Sequence, residues 1–180
     1  MKRTLISALI LPVVFLPMVL TLLGCGSSNN AFMDVPVSSV DWEVTTRIEY
    51  RYGDSSVAPD YHRSYAIVIT DSTKTIAIDS YGEVLLTRQY SSTPADFQAF
   101  KEALSRKDIR KHTEKDSDGC SGGTSEAIRL YKDDEIVFDA YVYHCSGESG
   151  TLLLPNGTAD LIRSQIPESV DSLINSTFNN

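Results

Sequence analysis

Histidine and cysteine are both scarce in this chain, three of each in 180 residues, alongside one tryptophan. A structural zinc site wants four nitrogen or sulfur ligands at a recognisable spacing, whereas His62, His112 and His144 are scattered singly. Only the adjacent pair His144-Cys145 hints at a soft metal, and neighbours on a strand point to opposite faces. No metal and no cofactor is therefore expected. Catalytic signatures are missing too. Gly147-Glu148-Ser149-Gly150 begins like a serine-hydrolase elbow, but Thr151 stands where that motif requires glycine. Asp116-Ser117-Asp118-Gly119 opens like a calcium loop, yet Cys120 fills the next ligand slot. Cys120-Ser121-Gly122-Gly123 lacks the lysine and the following helix of a phosphate loop. Basic residues are in deficit as well, 16 Lys and Arg against 24 Asp and Glu, for a net charge of −8. Phosphate backbones repel such a surface, so nucleic acid is not an expected partner.

The one long apolar run lies at the start. After Met1-Lys2-Arg3 the chain is apolar from Leu5 to Leu23 and then reads Leu22-Leu23-Gly24-Cys25. A basic start, an apolar stretch and a small residue before the cut make a secretory signal peptide. A membrane-spanning helix fits less well, because Pro12 and Pro17 would each remove a helical hydrogen bond. The leucine, glycine and cysteine resemble the lipobox of bacterial lipoproteins. That resemblance implies cleavage before Cys25, fatty acylation of Cys25 with chains such as palmitate, and a membrane anchor in the cell envelope. Gly26 follows the cysteine, and in enteric bacteria this implies the outer membrane, facing the periplasm. The expected organisation is a signal peptide over residues 1–24, a lipidated tether over 25–40 and one domain over 41–180. The cut removes Lys2 and Arg3 and no acidic residue, so it leaves 156 residues carrying −10.

Cys120 and Cys145 remain as an even pair in an oxidising compartment, which predicts a disulfide. Residues 125–131 and 135–143 alternate and are rich in β-branched and aromatic types, with Lys132-Asp133-Asp134 between them as a turn. Aligning Ile128 with Phe138 brings the cysteines to the open end one residue out of register, a slip that Gly122-Gly123 can absorb as a bulge.

Elsewhere, Trp42, Val44, Thr46, Ile48, Tyr50 and Tyr52 alternate with Glu43, Thr45, Arg47, Glu49 and Arg51, predicting a strand with one buried and one wet face. Strands are expected at Tyr65–Thr70, Thr75–Asp79 and Glu83–Gln89, forming a meander. Thr93-Pro94-Ala95-Asp96 predicts a capped helix start, with Phe97, Phe100 and Leu104 inward and Lys101, Glu102 and Arg106 outward. A short strand at Ile109–His112 and another at Thr151–Leu154 are expected. Thr158 is expected to cap a last helical region that Pro167 interrupts, with Val170, Leu173 and Ile174 apolar.

The pattern is α+β: an antiparallel meander and a disulfide-stapled hairpin with two helical regions on one face. Ala66-Ile67-Val68-Ile69 against Ala127-Ile128-Arg129-Leu130 suggests a duplicated unit. For function, the expected class is a non-enzymatic domain that binds an envelope macromolecule, as an inhibitor, an immunity protein or an accessory subunit. An envelope hydrolase with an unfamiliar site and a small-ligand carrier are the alternatives. Asp118, Tyr143, His144 and Glu148, around the bridged end of the hairpin, are the expected contact residues.

Overall fold

A computed structural model describes residues 35–115, 122–145 and 147–178. All of them belong to the compact unit Phe32–Asn180. Cys25, Asp118 and Cys120, and with them the signal peptide and lipidation site, lie outside the described residues.

Among the described residues nine strands form one antiparallel sheet: β1 Val35–Pro36, β2 Arg47–Gly53, β3 Ser64–Thr70, β4 Thr73–Ser80, β5 Glu83–Ser91, β6 Arg110–Lys115, β7 Thr124–Lys132, β8 Glu135–His144 and β9 Glu148–Leu153. Their spatial order is β1-β6-β9-β8-β7-β2-β3-β4-β5. Helices α1 Pro94–Ser105, α2 Thr158–Arg163 and α3 Val170–Ser176 complete an α+β fold. Among the described residues no helix is long and apolar enough to cross a membrane.

Register explains which side holds the core. Tyr50 sits opposite Ile67 on one side and Ile128 on the other, and Ile48 sits opposite Ile69 and Leu130. Ile76 and Ile78 continue these rows on β4, and Phe138 and Ala140 continue them on β8. Directly opposed residues share a face, so one face of the sheet is a buried apolar layer. Phe97, Phe100 and Leu104 of α1, Ile162 of α2 and Val170 and Leu173 of α3 join the same core. The opposite face, carrying Arg51, Ala66, Arg129, Asp139 and Tyr141, has no helix on it among the described residues.

Several local expectations hold for identifiable reasons. The Thr93 hydroxyl accepts from the Asp96 N–H at 3.1 Å and donates to the Asp96 carboxylate at 2.8 Å, capping α1. Tyr81 and Gly82, at φ 51° and 91°, form the tight turn between β4 and β5 that matches strand twist.

Others need correction. The expected long strand from Trp42 begins only at Arg47. The Asp41 carboxylate accepts from the Glu43 N–H at 3.0 Å and the Thr45 N–H bonds to Trp42 O, so residues 41–45 close into a turn. The tether does not reach residue 40, because Val37 is fully buried and its N–H donates to Ile109 O at 2.7 Å. Lys101, expected outward, is 5 % exposed and donates to the carbonyls of Trp42 and Thr45. Thr158 opens α2 behind the left-handed Gly157 instead of capping it. In the hairpin, Phe138 faces Leu130 and Ile128 faces Ala140, two residues from the expected alignment, with a bulge between Leu130 and Tyr131. Ala66 and Ala127 flank Arg51 at one height. The strands that follow differ: Ile67 faces Ile76 on β4, whereas its counterpart Ile128 faces Ala140 on β8.

Candidate functional site

The hairpin end assembles from three strands. Thr124 of β7 faces His144 of β8, which in turn faces Glu148 of β9. His144 lies between two carboxylates: Nε2 is 3.5 Å from Glu126 and Nδ1 is 3.7 Å from Glu148. Glu126 also accepts from the Tyr50 hydroxyl at 2.8 Å, so a polar chain runs from the core to the rim. Tyr52 stacks on Tyr65 at 5.2 Å, and Tyr50 lies 6.1 Å from Tyr65. Burial raises the Tyr50 and Tyr52 hydroxyls above the usual tyrosine range and pushes Tyr65 up to about 12. These phenols stay protonated, and Tyr50 donates its proton to Glu126.

Tyr143, one residue before His144, points to the other face, where its hydroxyl accepts from the Gly123 N–H at 3.0 Å. Expected contact residues are thus divided: His144 and Glu148 come together on the helix side, and Tyr143 joins Ser125 and Tyr141 on the open side. Position 123 admits only glycine, since an added Cβ would overlap the His144 carbonyl oxygen and the Cys145 Cβ. The Cys145 N–H donates to Gly147 O at 2.9 Å.

A serine–histidine contact lies elsewhere, with Ser64 Oγ 3.3 Å from His62 Nε2. Its chemistry follows from the second ring nitrogen. The Tyr81 N–H donates to His62 Nδ1 at 3.2 Å, and a backbone N–H has no choice of role. The neutral ring must therefore carry its proton on Nε2. That tautomer donates to Ser64 and has no lone pair there to take its proton, so the pair is not poised as nucleophile and base.

The open face carries a charge array that alternation alone did not disclose. Glu49, expected in water, is only 7 % exposed. Its carboxylate accepts from Arg51 Nε and, at 3.0 Å, from the Tyr131 hydroxyl. Burial by itself would raise the Glu49 pKa. The bonds from Arg51 and Tyr131 and the charges of Arg51 and Arg129 outweigh burial and hold it below the usual carboxylate range. Beside Glu49, Arg129 Nε donates to Asp139 at 3.0 Å, and the Arg47 guanidinium covers the Tyr131 ring at 3.8 Å.

Next to this array runs a groove of about 300 Å³. Gly53, Ala66 and Ala127 floor it, the Ser64 and Ser125 hydroxyls line it, and Arg51, Asp79 and Tyr141 wall it. Sequence reasoning passed over this groove because its parts are spread across β2, β3, β4, β7 and β8. The available signal was the run of small residues at positions flanking Arg51. Comparison with protein-family models, with curated proteins and with solved structures finds no match for this chain.

Proposed function

We propose that this chain is an envelope lipoprotein, anchored by acyl chains on Cys25 and sorted to the periplasmic side of the outer membrane. Its domain is a non-enzymatic module that binds another envelope macromolecule as an inhibitor, immunity or accessory protein. Lipidation rests on the lipobox sequence. The single observation carrying the binding role is the asymmetry of the sheet. The three helices of the described residues pack into one face, while the other keeps an ordered array of Arg47, Glu49, Arg51, Arg129, Asp139 and exposed Tyr141. Arginine and tyrosine are the residue types that concentrate energy at protein interfaces. We further propose that Cys145 pairs with Cys120, stapling the hairpin end and lowering the ordering cost of binding there. Tyr143 then lies on the contact surface at its hairpin end, and Asp118, His144 and Glu148 are proposed as secondary contacts around the stapled end.

Two experiments test this reading. Labelling with a fatty-acid analogue is expected to mark the wild type and not Cys25→Ser; equal label on both would remove the anchor. Reversing charge at the surface, with Arg51→Glu and Arg129→Glu, is expected to weaken capture of the partner after crosslinking in cells, because matched charges set register and steering. Capture that survives these changes but fails on substitution of exposed α1 residues such as Glu102 would move the surface to the helix side.

A further inference from the structure

The groove beside Arg51 has directed chemistry. Arg51 Nε is committed to Glu49, which Tyr131 holds in place, so the guanidinium is oriented and its two terminal nitrogens have no partner among the described residues. A planar fork held this way suits a carboxylate. Ser64 adds a second donor. Its oxygen accepts from the Asp54 N–H at 3.0 Å and from His62 Nε2–H, so its own proton is left to point elsewhere. Ser64 also lines the groove. Gly53 keeps the floor open, since a Cβ there would overlap Ser125 Oγ.

The far wall has the opposite charge. Asp79 accepts from the Gly82 N–H at 2.9 Å through Oδ1, and its second oxygen has no partner among the described residues. Arg51 faces Ala66 on β3, and Asp79 faces Ser64, two residues along and one strand further. Strand spacing and rise place the two Cα atoms about 12 Å apart. An extended tripeptide spans about 10 Å.

We propose that this groove binds a short, free peptide, its terminal carboxylate gripped by Arg51 and its amine facing Asp79, with Ser64, which stands opposite Asp79, donating to a peptide carbonyl near the amine end. The proposal deepens the binding-module reading and rests on it.

The test uses the full-length chain in detergent with trialanine as probe, followed by isotope-edited NMR of the backbone N–H groups. Trialanine is expected to shift the signals of Gly53, Ala66 and Ala127 saturably. Trialanine amide, which lacks the carboxylate, is expected to bind tenfold or more weakly to the unaltered protein. Arg51→Gln should match that loss, Asp79→Asn should weaken binding about threefold, and Arg88→Gln on exposed β5 should change nothing. Equal binding of acid and amide, or no response to trialanine at millimolar concentration, overturns the proposal even if Arg51→Gln folds poorly. If trialanine fails while a macromolecule is still captured through the open face, the groove assignment falls and the binding-module reading stands.

Discussion

Replacing Glu49 by glutamine keeps the shape of the side chain and removes the charge at the centre of the open face. In the folded protein this carboxylate is almost fully buried and takes two bonds. The Tyr131 arm is buried, and a hydrogen bond to a charged group contributes about 1.5–3 kcal/mol. The Arg51 arm is worth less, about 0.2–1 kcal/mol, because the Arg51 side chain is 58 % exposed and water screens it. Glutamine still offers a neutral acceptor, so the expected net loss at pH 7 is about 1–2 kcal/mol. The pH dependence has a definite sign. The Glu49 pKa is held below its ordinary value, so its contribution is present above the unfolded-state pKa, about 4.3. It disappears as pH falls through the lower folded-state pKa. Urea unfolding of wild type and Glu49→Gln at pH 7, 5, 4 and 3 measures this directly. The gap is expected to be full at pH 7 and 5 and to shrink toward pH 3. A gap independent of pH, or no gap at pH 7, would refute the reasoning.

Other consequences are equally concrete. Gly123→Ala should cost about 1–3 kcal/mol by overpacking against His144 and Cys145, read from the urea midpoint, whereas Gly82→Asn in the exposed turn should cost far less. Tyr65 carries a folded-state pKa raised to about 12, against about 10 when unfolded. Its stabilisation is complete below pH 10 and lost between about pH 10 and 12, so Tyr65→Phe should flatten the alkaline fall in Tm. Cys145→Ser should lower stability by about 2–5 kcal/mol, and peptide mapping without reductant should recover Cys145 linked to Cys120.

Much of the strand plan was legible in sequence because the pleat imposes a period of two. Ile67, Ile69, Ile76 and Ile78 could only be satisfied on one buried face. The α1 start was equally plain, since Thr93, Pro94 and Asp96 act locally. What alternation missed depends on partners far along the chain. Glu49 is buried because Tyr131 lies 82 residues later. Lys101 turns inward because the turn at 41–45 presents two carbonyls to it. Hairpin register escaped by two residues: the turn is Asp133-Asp134 alone, with Lys132 facing Glu135, which shifts it by one, and a bulge at Leu130/Tyr131, invisible in a pattern of apolar spacing, shifts it by another. The candidate contact residues suffered from the same periodicity, since Tyr143 and His144 are neighbours in sequence and lie on opposite faces of the sheet.

The central claim is that the open face of the sheet meets a macromolecular partner in the envelope. A photoreactive residue placed singly at Thr87 and Tyr141 on that face, and at Glu102 and Ser172 on exposed turns of α1 and α3, tests it in intact cells. The account predicts one shared adduct from positions 87 and 141, none from 102 and 172, and loss of that adduct with Arg51→Glu. Adducts arising from the helix positions, with none from the open face, would contradict it.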